Sequence, residues 1–301
     1  MSHKALNFPM VLDGGLSNVL EDLGCDLSSS LWTAELLEKD PQAIVETHLR
    51  YLRSGADIIS TTGYQASIKK YLELSYSPSK AEELILRPVA LARQALKSFV
   101  QSNPDKKRFI AASIGPFGAY LADGSEYTGD YEVGAEQLRS FHKRRLRLLA
   151  DSSADFLAFE TMPNALEIEV ISDLLSEVTK PSWLSLSVQD ANSLRDGTPL
   201  PKIIQGLDKL PNLFAIGVNC CAPSIVEDCI KTIRLYSDKK VIVYPNSGQV
   251  YDAKQKKWLG TSDPLQYGQL AEKWFASGAD IVGGCCQIGP RHIENIKRPV
   301  P

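Results

Sequence analysis

Apolar residues gather into eight short blocks along the chain: FPMVLDGG, DIISTTGY, RFIAASIGPF, DFLAFET, SWLSLSV, FAIGVNC, VIVYPNSG and DIVGGCC. Short, nearly continuous runs of this kind, closed by turn residues, predict strands buried on both faces. Between them the period lengthens to that of a helix. In DPQAIVETHLRYLRSGAD, Ile44, Val45, Leu49 and Leu52 share one face. Asp40 is placed to cap that helix, Pro41 suits its first turn and Gly55 ends it. SPSKAEELILRPVALARQALKSF predicts a second helix, kinked or broken at Pro88. PNALEIEVISDLLSEV predicts a third, following the fourth strand. Strand then helix, eight times over, predicts a single (β/α)8 barrel domain spanning residues 1–301. A doubly wound open sheet fits less well, because no GxGxxG follows the first strand.

The strand ends share a second pattern. Seven of the eight finish in small or polar residues: Asp13-Gly14-Gly15, Thr61-Thr62, Ser113, Glu160-Thr161, Asn219-Cys220, Asn246-Ser247 and Cys285-Cys286. In a barrel the C-terminal ends of the strands meet at one face, the face that carries active sites, so these ends describe a pocket.

Charge and composition narrow the class. A net charge of -3 over 301 residues offers no basic field for nucleic acid or an anionic membrane surface. No apolar run approaches the roughly 20 residues that cross a bilayer. The opening MSHKALNFPMVLDGG has no signal-peptide h-region, and a cytoplasmic protein is expected. For such a protein the six cysteines, Cys25, Cys220, Cys221, Cys229, Cys285 and Cys286, point to metal binding or catalysis rather than disulfides.

Cys220 closes the sixth strand; Cys285 and Cys286 close the eighth. Adjacent strand residues face opposite ways, so both members of the last pair reach one ion only if extended geometry breaks between them. Gly283 and Gly284 permit that break and a close approach of other backbone. Three thiolates with an open position describe a catalytic zinc site, and soft sulfur ligands favour zinc over magnesium or calcium. Spacing alone leaves other readings open, because buried cysteine is common core filler and a cluster of four could hold iron and sulfur. Cys25 and Cys229 read as filler, and Cys221 as facing away from Cys220.

Eight segments in order, LDGGLSNVLE, LWTAELL, YLRSGADIISTTGYQAS, SIGPFGAYLADGSEYTGDY, FETMPNALE, IGVNCCAP, YPNSGQVYD and GADIVGGCCQIGPRHI, closely resemble the homocysteine S-methyltransferase family over almost the whole chain. SEYTGDY and YPNSGQVYD resemble most the single-domain enzymes that use S-methylmethionine or S-adenosylmethionine. The resemblance implies a (β/α)8 barrel holding zinc through Cys220, Cys285 and Cys286. It further implies that Asp13, beside Gly14, and Glu160 meet the amino group of L-homocysteine. Asn246 is implied as the fourth zinc ligand before substrate arrives.

The implied reaction moves a methyl group from a sulfonium to the zinc-bound homocysteine thiolate, giving L-methionine. Zinc supplies the thiolate, and the neutral thioether that leaves needs no acid. Aromatic faces at Trp32, Phe117, Tyr127 or Tyr131 are candidates for the cationic donor, with Glu126 as a further donor contact or a loop salt bridge. His48 and His292 read as structural, and the basic residues around His142 in FHKRRLRLL as a solvated helix face. Gly115 and Gly118 read as turn residues. A betaine-type methyltransferase and a non-catalytic zinc barrel that senses sulfur amino acids are the competing expectations. A metal-free redox role for the vicinal thiols is disfavoured by the missing CxxC.

Overall fold

Eight parallel strands, separated by helices, close into a barrel in a computed structural model that describes residues 6–27, 35–252, 257–259 and 262–299. The strands are β1 (Met10–Val11), β2 (Ile58–Ser60), β3 (Phe109–Ile114), β4 (Phe156–Met162), β5 (Ser182–Leu186), β6 (Leu213–Asn219), β7 (Lys240–Tyr244) and β10 (Ile281–Val282). Their spatial order is β1-β10-β7-β6-β5-β4-β3-β2. A parallel bridge from Leu12 to Ile58, with Asp13 N–H donating to the Ile58 carbonyl at 3.0 Å, joins the first and last members of that order. All eight expected strands are present. Two short strands were not foreseen: β8 (Val250–Asp252) and β9 (Lys257–Leu259) form an antiparallel hairpin after β7. Three residues each are too few to display a period in sequence.

Alternation along the strands sorts the barrel interior into levels. Phe109, Phe156, Trp183 and Phe214 fill the interior, with ring centroids of Phe156 and Phe214 5.3 Å apart. Small residues follow at Ala111, Ala158 and Ala215. Two residues further along each strand the same inward row becomes polar: Ser60 after Ile58, Ser113 after Ala111, Glu160 after Ala158, Ser185 after Trp183. Period two therefore turns a packed floor into a polar upper level without any change of fold. A larger apolar layer lies between strands and helices.

The helices follow their sequence signals with two exceptions. In α3 (Pro41–Arg53) the Asp40 carboxylate accepts the Ala43 N–H at 3.1 Å, and Gly55 takes the left-handed φ of 101° just beyond the end. In α5 (Pro78–Ser102) the helix runs through Pro88 without a break. Pro88 forfeits one backbone bond there. The helix is held by a buried stripe that includes Leu84, Ile85, Val89, Ala92 and Leu96. The second exception is α7 (Ala135–Asp151), where the basic run is not all solvated: His142 and Arg145 are both 1% exposed. His142 bonds Glu167 of α8 (Ala165–Leu175), which is wholly buried, and Arg145 donates to the other nitrogen of the His142 ring. No helix of the described residues is long and apolar enough to cross a membrane.

Candidate metal centre and active site

The Sγ atoms of Cys220, Cys285 and Cys286 lie within 4.8 Å of one another at the C-terminal ends of the strands. None of the three lies within a strand. β6 ends at Asn219, and Cys220 takes φ 51° immediately after it. A non-glycine residue in the left-handed region costs about 1 kcal/mol or more, which the surrounding bonds must hold. β10 ends at Val282, so the turn containing Cys285 and Cys286 begins beyond strand geometry and the opposite-face rule does not apply.

Close packing fixes that turn. Gly284 N–H donates to the Asp13 carbonyl at 2.9 Å and Gly15 N–H to the Ile288 carbonyl at 2.9 Å. On its other side Cys285 N–H meets the Pro245 carbonyl at 2.8 Å, and Ser247 N–H meets the Cys286 carbonyl at 3.1 Å. A methyl group at Gly14 would collide with the Ile288 carbonyl oxygen, and one at Gly284 with the Ile288 side chain. The glycines thus serve close approach, while the left-handed turn falls at Gln287, φ 64°. Tyr51 ties both sides together from below, donating to the Gly15 carbonyl at 2.7 Å with the Ile288 carbonyl 3.0 Å away.

The sulfur geometry fits a tetrahedral metal. Bonds of about 2.3 Å to sulfur put neighbouring ligands about 3.8 Å apart. Cys220 and Cys286 Sγ are 3.8 Å apart. Their mutual hydrogen bonds divide the three thiols: bonding to Cys220, then burial, pushes Cys285 and Cys286 well above the usual range, and Cys220 moves the other way. Hydrogen bonds from Cys285 and Cys286, then from Tyr127 and Asn246, hold the Cys220 thiol well below its usual range. The Tyr127 hydroxyl lies 3.8 Å from that sulfur. Asn246 accepts the Cys286 N–H on its Oδ1 at 3.1 Å, which uses one of that oxygen's two lone pairs, and turns its amide toward Cys220.

Beside the sulfurs is a cavity of about 110 Å³, lined by Asp13, Gly14, Thr61, Thr62, Glu160 and Thr161 among others. Both acids are buried, at 2% and 9% exposure. Burial pushes the Asp13 carboxyl well up, partly opposed by the Ser60 N–H at 2.8 Å and reinforced by Glu160. Burial likewise raises Glu160 to about 7, against hydrogen bonds from Ser113 and Tyr244. Both acids therefore gain from a cation placed between them. Thr161, φ 59°, is clamped to Asn219 by bonds of 2.8 Å in each direction. The described residues lining this cavity include no Lys, Arg or His.

Other expectations fared unequally. Glu126 is buried and makes no ion pair with a described residue. Phe117 and Tyr131 do not line the cavity; their rings pack on each other and, for Phe117, on Phe141. Trp32 lies outside the described residues. Cys221 and Cys229 sit in the outer core and Cys25 is half-buried, all with free thiols. His292 stands in α12 (Pro290–Glu294), its ring bonded to Gly289 N–H and Ser262. His48 is buried in α3, and burial lowers it to about 4. Tyr64, which lines the cavity, was missed in sequence because an aromatic after a strand carries no distinguishing mark.

An open trio of thiols at the mouth of a (β/α)8 barrel, beside buried acids, defines a class of metal-thiolate barrel enzymes. The family model for homocysteine S-methyltransferase matches residues 10–300, and the chain belongs to that family. Homocysteine S-methyltransferase 1 of Brassica oleracea var. italica is 38% identical over 96% of this chain and 92% of its own length. Homocysteine S-methyltransferase YbgG of Bacillus subtilis is 37% identical over 98% and 96%. The metallated form of the homocysteine methyltransferase MmuM from Escherichia coli superposes with a TM-score of 0.87 at 36% identity, covering 96% and 95% of the two chains.

Proposed function

We propose that this homocysteine S-methyltransferase, which methylates homocysteine to methionine, takes its methyl group from a sulfonium and uses zinc as its metal. The converging sulfurs beside a cavity walled by acids and lacking basic side chains carry this reading. Cys220, Cys285 and Cys286 would hold the zinc, which supplies a deprotonated, nucleophilic substrate thiol at neutral pH. Asp13 and Glu160 would grip the homocysteine ammonium. That contact lowers both carboxyl pKa values toward their ordinary range and fixes the amino acid in register with the sulfurs. Gly14 keeps the Asp13 loop against Ile288. Asn246 orients the Cys286 backbone, and its oxygen keeps a second lone pair for the resting centre.

In the transfer, a bond forms between the homocysteine sulfur and the methyl carbon. The methyl–sulfonium bond breaks, and its electron pair stays on the departing neutral thioether. The homocysteine thiol proton leaves to solvent. S-Methylmethionine and S-adenosylmethionine both satisfy this balance. A cavity lined by carboxyls and thiols, with no basic side chain among its described lining residues, favours a cationic donor over an anionic folate. Free thiols at all six cysteines support a reducing, cytoplasmic setting for a single barrel domain over residues 1–301.

Zinc-loaded protein supplied with homocysteine and one donor at a time tests this reading through the methionine formed. A sulfonium is expected to support turnover at least about 100-fold faster than glycine betaine, whose leaving group is a poorer one. Equal rates from betaine would overturn the sulfonium assignment.

A further inference from the structure

One carboxylate of this region is left without a role by the homocysteine and metal contacts. Glu126 sits in a short 3-10 turn, Ser125–Tyr127, at 7% exposure. Its Oε2 is buried and has no hydrogen-bond partner among the described residues. A buried carboxylate oxygen without a partner is costly, and native structures keep few of them unless a ligand supplies the missing donor. The turn is rigid. Gly118 lies so close to the Glu126 backbone nitrogen that a side chain there would clash, and Gly129 N–H closes the turn on the Ser125 carbonyl at 2.8 Å.

The next residue, Tyr127, lines the cavity and reaches Cys220, so the turn lies against the metal centre. Tyr64 lines the cavity here and its hydroxyl is a second orphan. It feels the Thr161 side chain but makes no hydrogen bond of normal length. Thr62, two residues earlier, has a buried hydroxyl that is likewise unpaired among the described residues. The loop of residues 115–118 touches both groups: the Tyr64 ring packs on Gly115 and the Glu126 backbone on Gly118. No described basic side chain lines that cavity.

We propose that Glu126, together with the cavity-lining hydroxyls of Tyr64 and Thr62, binds the primary ammonium group of the methyl donor. This rests on the sulfonium reading and sharpens it: the enzyme selects sulfoniums that also carry an α-ammonium over sulfoniums that lack one. The carboxylate takes an N–H from the ammonium, and the two hydroxyls complete the contact with the amino-acid end. The donor is thereby anchored at its polar end while its methyl group points to the sulfurs.

Steady-state kinetics on the zinc-loaded holoenzyme test the inference with three donors: S-methylmethionine and S-adenosylmethionine, which carry the ammonium, and dimethylsulfoniopropionate, which does not. In Glu126→Gln the preference for an ammonium-bearing donor, as a ratio of kcat/KM values, is expected to fall about 10- to 100-fold, the size of a lost charged hydrogen bond. The loss appears in the donor KM. Zinc content and homocysteine KM stay within about twofold and report an intact fold. Tyr64→Phe, which removes only the hydroxyl, is expected to lower the same ratio by about threefold to tenfold. An unchanged ratio in Glu126→Gln, or an equal loss with all donors, overturns the inference and leaves the sulfonium reading standing. Absence of methionine from the wild type with both ammonium-bearing sulfoniums overturns the two together.

Discussion

Cys220→Ala and Cys285→Ala are each expected to lose bound zinc and methionine formation together. Each removes one of three sulfurs that lie within 4.8 Å of one another. A three-sulfur site that loses one ligand keeps two thiols and an open shell, and its metal affinity falls by at least about a thousandfold. Turnover falls with it, because the homocysteine thiol is then activated only by its own few per cent of thiolate at neutral pH. Cys229→Ala is the control. That residue is wholly buried in the outer core, so the change leaves a small cavity costing about 1 kcal/mol and leaves zinc intact. Metal analysis beside a turnover assay reads all three. A full complement of zinc in Cys220→Ala would show that this sulfur is not a ligand.

Glu167→Ala is expected to cost about 3–5 kcal/mol of stability and lower Tm by roughly 10 °C, because it leaves three buried or half-buried polar groups without their acceptor and removes the charge that offsets buried Arg145. Glu167 Oε1 lies 2.6 Å from His142 Nε2 and accepts the Phe117 N–H at 2.6 Å, while Oε2 accepts the Tyr131 hydroxyl. Burial holds His142 below its usual range and Arg145 at about 10, with the Glu167 charge opposing both shifts. Arg145 in turn donates to the Ala66 carbonyl at 3.0 Å and the Gly115 carbonyl at 2.7 Å. The cluster therefore pins the loops after β2 and β3 to α7 and α8, and these loops carry Tyr64 and the turn with Glu126. Differential scanning calorimetry at neutral pH checks the figure. A shift in Tm below about 2 °C would mean that solvent or a rearranged neighbour replaces the carboxylate.

How much of this was legible beforehand varies with the kind of signal. The eight apolar blocks sufficed for the barrel, since each combines strand length with a turn. The polar strand ends sufficed for the location of the cavity, since two-residue alternation carries Ala158 to Glu160 and Ala111 to Ser113 on the same inward row. The direction of each thiol was not legible. It depends on φ at Cys220 and on hydrogen bonds from residues 13–15 and 245–247, which are tertiary facts. Arg145 is a different case. It stands four residues after Phe141 and four before Leu149, on the apolar stripe of α7, and the charge of the surrounding KRRLR run obscured that position. At Pro88 only the expected break is excluded, and for a related reason: a local helix breaker was overruled by the packing of a 25-residue helix.

X-ray absorption at the zinc edge, recorded on the holoenzyme before and after adding homocysteine, addresses the central claim most directly. Three sulfurs and one lighter atom are expected around the metal at rest, and four sulfurs at about 2.3 Å once homocysteine is bound. A sulfur count that stays at three in the presence of saturating homocysteine would contradict it.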